Sequence, residues 1–283
     1  MVGLPQSDTP QDAGSLPSRR RRVAAWKAWV ASGLAIALAA AGAVYYVQQS
    51  DLRARLMRTD PDAAANDGEL RSFAISYAQP VYERNCAGCH GERMQGDPRY
   101  GVPDLTDRDW LYGEGRAAQI EHTILYGIRA SNGKSMNFAD MPAFARPEPY
   151  ARYKIEPLDP GDIRDVTTFL LVAGGRQGDA AAAKRGEQIF ADKGQCFDCH
   201  SGDARGDTAI GAPSLIDHKW LHGNGSFDDI YAVISNGSSG ICPAWYQRLS
   251  AVAIRALAVS IYAASHKEPP HAAARSSTPG PAG

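Results

Sequence analysis

Two pentapeptides hold the residues best suited to chemistry: Cys86-Ala87-Gly88-Cys89-His90 and Cys196-Phe197-Asp198-Cys199-His200. Two thiols three positions apart, on a turn entering a helix, face one side. They can reach two vinyl groups on the edge of one flat macrocycle. The histidine directly after the second thiol then presents its ring to the iron as the proximal ligand. The pattern therefore predicts covalent attachment of haem c in each pentapeptide, with the thiols consumed as thioethers. Four thiolates could instead hold one zinc ion, but such a site would not need a histidine beside both pairs. A thioredoxin-like redox pair needs alternating strands and helices around it, and neither pentapeptide has that pattern.

The elements that must position these hooks also come in two copies. Gly101 to Asp107 matches Gly211 to Asp217, and Trp110-Leu111-Tyr112-Gly113 matches Trp220-Leu221-His222-Gly223. Ile120, Ile124, Leu125 and Ile128 form an apolar helical stripe, repeated as Ile230, Val233 and Ile234. Met141-Pro142-Ala143-Phe144 then aligns with Cys242-Pro243-Ala244-Trp245. Ile163, Val166, Phe169 and Leu170 read as the closing helix of the first domain, ended at Gly174-Gly175 and crossing that domain's first helix. Ile254 to Tyr262 supplies the corresponding helix of the second domain. Before the first hook, Phe73, Val81 and Tyr82 suit a packed helix, which Pro80 is expected to start. Residues 145–158 read as an inserted surface loop.

A methionine thioether is a soft, neutral iron ligand, and His/Met ligation raises the reduction potential of a haem. Met141 is the expected distal ligand of the first iron, its loop stiffened by Pro142. Met136, in the same loop, is the alternative. Met94 follows His90 too closely and on the proximal side, and Met57 is out of range. In the second repeat Cys242 occupies the methionine's place, so the expected ligand set is His90, Met141, His200 and Cys242. Three readings of Cys242 stay open. It is a thiolate ligand that lowers the second iron's potential, a free or oxidised thiol beside the haem, or a small buried residue. His218 and His222 are candidate replacements at the second iron, although each suits a surface or haem-edge contact better.

The chain has 283 residues, five cysteines and a formal net charge of −1, which gives no support for nucleic-acid binding. Residues 1–27 read as a disordered and basic N-terminus, in which 1–18 are rich in Pro, Ser, Gly and Asp and Arg19 to Arg22 follow as a basic cluster. Ala28 to Val47 carries no charge, and at ~1.5 Å per residue it can cross a hydrocarbon layer of ~30 Å. Trp26, Trp29, Tyr45 and Tyr46 flank it as interfacial anchors. The arginines precede the span, so residues 1–27 are expected in the cytoplasm and both hooks outside it. A cleaved signal peptide ending near Ala39 to Ala43 is the alternative, but the apolar run is longer than a usual signal core. Residues 48–70 read as a solvated linker, 71–175 and 184–266 as the two haem-bearing domains, and 267–283 as a disordered tail.

The order CxxCH, PxLTD, WLYG, helix and MPA resembles the dihaem, membrane-anchored subunit III of cbb3-type cytochrome c oxidases, over residues 20–265. The resemblance implies an all-α fold class, with one N-terminal transmembrane helix followed by two tandem cytochrome c domains. It implies two covalently bound haem c groups at Cys86, Cys89, His90 and Cys196, Cys199, His200. It places the haem domains in the periplasm, on a single-pass anchor in the inner membrane. A soluble periplasmic cytochrome would donate electrons, and the oxidase catalytic subunit or another membrane redox complex would accept them. On this reading the chain has no catalytic centre of its own. Cys242 departs from the family pattern and keeps two alternatives open: a His/Cys-ligated thiosulfate dehydrogenase, and a haem-based redox or gas sensor.

Overall fold

The computed structural model describes residues 19–147 and 156–266, with the side chains of 19–25 left aside. The expected disorder of 1–18 and 267–283 and most of the 145–158 loop lie outside the described residues. Among the described residues all regular structure is helical, and β-type pairing is confined to isolated bridges. The chain divides into two units, Met1–Asp51 and Leu52–Gly283.

Helix α1 (Arg19–Arg58) fills the described part of the first unit and continues into the second. From Trp26 onward it is long and apolar enough to cross a membrane, with a mean hydropathy of 1.8 over an 18-residue stretch. It runs past the expected span because residues 48–58 contain no glycine or proline and are mostly good helix formers. The expectation of a solvated linker over 48–70 is corrected here. Leu52 and Leu56 lie one helical turn apart, and Leu56, Ala64, Ala65 and Leu70 are buried in a core.

In the second unit follow α2 (Pro61–Asn66), α3 (Gly68–Asn85), α4 (Ala87–His90), α5 (Ala117–Tyr126) and α6 (Pro160–Ala173). Then come α7 (Ala180–Ala191), α8 (Phe197–His200), α9 (Phe227–Asn236) and α10 (Ala251–Ser265). The starts of these helices are legible. Pro61 opens α2, Asp60, Asp67 and Asp179 cap α2, α3 and α7, and Ser250 caps α10. The Asp67 carboxylate accepts from the amides of Glu69 and Leu70, both at 2.9 Å. The Leu70 amide chiefly holds its pKa below the ordinary 3.8, with help from Arg55 and Arg71. Because the folded pKa is depressed, this contribution is fully present above 3.8 and is lost as pH falls through the lower folded value. Asp67→Asn keeps an acceptor but not the charge. It is expected to flatten the acid limb of a plot of Tm against pH, and an unchanged limb would contradict the cap's titration.

Helix α3 runs through Pro80 instead of starting there. Pro80 is exposed, so the carbonyl one turn earlier that loses its N–H partner faces water. The buried stripe Leu70, Phe73, Ala74, Ala78 and Tyr82 keeps the helix seated.

Two lobes result. Around α10 lie α2, α3 and α5, with Leu56, Phe73, Tyr82 and Ala117 packed against Ala256, Leu257 and Val259. Around α6 lie α7 and α9, with Ile163, Val166 and Leu170 packed against Phe190, Ile230 and Ile234. The closing helices have therefore changed places. Helix α6 does not cross the first domain's leading helix α3 but packs on α7, and α10 packs on α3. The short connection Gly174 to Asp179 folds α6 and α7 into a helical hairpin. Their backbones touch at Gly186, where a Cβ would strike the Asp165 carbonyl. The rings of Phe169 and Phe190 meet at 5.4 Å, and Arg185 pairs with Asp165 at 2.6 Å.

Candidate functional site

Each hook is a single helical turn, α4 and α8, ending at its histidine. The loops that follow repeat bond for bond. Gly96 donates to the His90 carbonyl and Gly206 to that of His200, both at 2.9 Å. Asp97 pairs with Val102, and Asp207 with Ala212. Leu105 donates to Met94 at 2.8 Å, and Leu215 to Ala204 at 2.9 Å. Gly96 and Gly206 sit at φ 68° and 79°, where a Cβ would collide with the carbonyls of Val102 and Ala212.

This tight return brings a proline carbonyl to each histidine. His90 Nδ1 lies 3.2 Å from the Pro103 oxygen, and His200 Nδ1 lies 3.0 Å from that of Pro213. Nδ1–H donation fixes the tautomer and leaves the Nε2 lone pair for a metal. Burial lowers both imidazole pKa values, which keeps the rings neutral as a ligand must be. Burial also pushes the Cys86 thiol up to about 11 and the Cys196 thiol up to about 12. The five cysteines are unpaired.

The residues present fit haem c. Trp110 and Trp220, one in each repeat, bury an indole N–H without a hydrogen-bond partner. An orphaned buried donor costs about 1–3 kcal/mol, and a haem carboxylate is the acceptor such a donor needs. Cys86, Cys89 and His90 would hold one group, and Cys196, Cys199 and His200 another. The group supplies one-electron chemistry at iron when bound.

The distal loops cross between repeats. Ser238, just past α9, exchanges backbone hydrogen bonds with Met141 at 2.9 and 3.1 Å. Ile128, just past α5, exchanges them with Cys242 at 2.9 and 3.1 Å. Phe144 donates to Ile234 of α9 at 3.0 Å, and Trp245 to Ile124 of α5 at 3.1 Å. Met141 packs on the lobe that contains Phe190, Cys196 and Ala204. The expected pairings, Met141 with His90 and Cys242 with His200, are thus not the ones the chain brings together. Met141 joins the lobe of His200, and Cys242 joins the end of α5 in the lobe of His90. The cause is the exchange of α6 and α10, which draws each preceding loop onto the opposite lobe.

The remaining candidates are placed elsewhere. The Met136 sulfur lies 3.9 Å from Thr123 Oγ1 and lines a cleft of about 370 Å³ with Tyr112, His122 and Phe138. Met94 packs into the first lobe's core. His222 Nε2 meets Ser238 Oγ at 2.8 Å, and His218 is exposed. Sequence reasoning missed Arg129. Its guanidinium donates to Gly240 at 2.7 Å and Ala139 at 2.8 Å and pairs with Asp140 at 3.2 Å, so it pins both distal loops where they cross. Its counterpart in the second repeat is Ser239, which is why repeat matching gave no signal for it.

The two post-hook loops also meet each other. Gly113 donates to Thr208 at 3.0 Å and Gly223 to Pro98 at 2.9 Å, an equivalent bond in each direction. Tyr112 packs over Gly211, and His222 over Gly101. The WLYG-type elements of the two repeats therefore form a second contact between the lobes, beside the crossed distal loops.

Comparison with known proteins covers both hooks. The family model for cytochrome C oxidase, cbb3-type, subunit III matches residues 74–149 and 181–259, one match over each hook. The cbb3-type cytochrome c oxidase subunit FixPc of Rhizobium leguminosarum bv. viciae is 34% identical over 197 residues, covering 70% of this chain and 63% of the relative. Subunit CcoP of Cereibacter sphaeroides is 33% identical over 211 residues, covering 75% and 68%. Subunit CcoP of Rhodobacter capsulatus is 36% identical over 216 residues, covering 74% and 68%. The chain thus spans somewhat under two thirds of the Rhizobium relative. With two hooks, matching proximal loops and an apolar N-terminal helix, the chain belongs to the family of cbb3-type cytochrome c oxidase subunit III.

Proposed function

We propose that this chain is a membrane-anchored dihaem cytochrome c that passes electrons toward a cbb3-type terminal oxidase. The observation that carries this reading is the reciprocal contact of the two post-hook loops, Gly113 to Thr208 and Gly223 to Pro98. It joins two equivalent haem-binding sites back to back, which suits a short relay. The family match supports electron transfer over the thiosulfate-dehydrogenase and sensor alternatives. In this reading residues 71–175 and 184–266 each carry one hook, and they exchange distal loops and closing helices. Arg19 to Arg22, ahead of the apolar stretch of α1, support a cytoplasmic N-terminus and a periplasmic relay. A soluble cytochrome in that compartment is the donor.

The chain's own residues have three tasks: to hold the imidazoles neutral and oriented, to exclude water from the metal sites, and to keep the relay rigid. Mild-detergent purification of the native protein from membranes tests the proposal. Two haems per chain, co-purification of a haem–copper catalytic subunit and oxygen uptake are expected. A dihaem chain recovered alone and without oxygen uptake would replace the oxidase assignment with a tethered shuttle.

A further inference from the structure

We infer that Cys242, from the second repeat, supplies the sixth ligand to the iron held by His90 in the first, so that the first haem is the low-potential member of the pair. The inference rests on the dihaem reading above and adds an assignment of ligand and redox order.

Three observations on the backbone fix where Cys242 sits. The paired bonds between Ile128 and Cys242 lay its loop along the end of α5. Gly127, at φ 75°, lets the loop come so close that a Cβ there would collide with the Cys242 carbonyl. Trp245 then donates to Ile124 and Leu125, both at 3.1 Å, which anchors the loop's far side. The thiol itself is half-buried, on a loop held by α5 in the lobe of the first hook.

A separate feature of the same lobe suits the group that Cys242 would ligate. The Trp110 indole N–H is buried without an acceptor, beside Met94, Leu105 and Ile120. The described methionines of this region are otherwise placed. Met136 pairs its backbone with Gly127 and Arg129 but has its sulfur 3.9 Å from Thr123 Oγ1, Met94 follows His90 by four residues on the proximal side, and Met141 packs against the second lobe.

The chemistry sets the order of potentials. A thiol bound to ferric iron loses its proton to solvent and remains as a thiolate. Its negative charge favours the ferric state, whereas a neutral thioether favours the ferrous one. His90/Cys242 therefore lies below His200/Met141, and an electron moves downhill from the first iron to the second, oxidising one and reducing the other. Within-repeat pairing would give the opposite order.

The test uses the full chain in detergent, with its haems attached. Electron paramagnetic resonance of the ferric protein should show a low-spin thiolate-ligated species that Cys242→Ala abolishes. Removing the second attachment site (Cys196→Ser with Cys199→Ser) should leave that species in place, and removing the first (Cys86→Ser with Cys89→Ser) should eliminate it. If these variants do not fold, proton NMR of the intact reduced protein decides. Contacts from Trp245 to the macrocycle bound at Cys86 are expected, and contacts to the one bound at Cys196 overturn the assignment. In a redox titration Cys242→Met should raise the lower of two steps and leave the upper one in place. Absence of a thiolate signature in the wild type would overturn the ligation. Haem count and co-purification read the dihaem oxidase proposal separately and would be unaffected by that failure.

Discussion

Leu257→Ala is expected to loosen the lobe around His90, although residue 257 lies far beyond the second hook in the chain. Leu257 has 0% exposure and packs among Leu70, Phe73, Ala74 and Tyr82. Truncating a fully buried leucine removes its transfer free energy and leaves a cavity, together about 2–5 kcal/mol. Ile163→Ala should act in the reverse sense. Ile163 is 1% exposed and packs on Phe190 and Ile230, so its loss should loosen the lobe around His200. Amide hydrogen exchange read by mass spectrometry separates the two effects without reference to haem spectra. Amides of α3 should lose protection in Leu257→Ala, and those of α7 in Ile163→Ala. The opposite pattern would mean that each repeat closes on its own helix and that the crossing is not the solution structure.

The contrast between what could be read from the sequence and what could not has a physical origin. The hooks, the proline-bearing return loops and the helical stripes are local, and their spacing alone fixes their form. His90 and His200 are oriented by carbonyls that follow each of them by 13 residues, within one short return loop, so the motif and its support travel together. The crossing is different. Helices α6 and α10 present similar apolar faces to similar partners, and each pattern is compatible with either lobe. What decides between them is the length of the connection from α6 to α7 and the close approach at Gly186, features that no helical periodicity records. Pro80 misled for a related reason. Its local cost is real, but the tertiary burial of Phe73, Ala74 and Tyr82 outweighs it. Leu56 was hidden among the arginines of a segment that looks solvated until α10 is brought beside it.

Arg255→Ala is the second large effect, expected to cost about 3–5 kcal/mol because it strands a buried charge. On α10 the Arg255 guanidinium meets Glu121 of α5 at 2.7 Å, with both side chains nearly buried, at 12% and 13% exposure. The same group donates to the carbonyls of Leu56 at 3.1 Å and Thr59 at 2.7 Å, at the end of α1. Those carbonyls have lost their helical partners, and a cation there also complements the helix dipole. One side chain thus ties the exchanged helix to two other elements of the first lobe. Removing it leaves Glu121 buried without its cation and two carbonyls without a donor. Replacing both members by apolar residues, Arg255→Leu with Glu121→Leu, avoids the stranded charge and should recover much of the loss, since a buried ion pair seldom exceeds its own desolvation cost. Urea unfolding of the single and double variants measures the difference. If the double variant were as unstable as Arg255→Ala, the two carbonyls at the end of α1, and not the ion pair, would be what Arg255 chiefly serves. In either case the consequence reaches the metal site. Helix α10 begins a few residues after Trp245, so a lobe that loses this clamp also loosens the loop that lays Cys242 against α5.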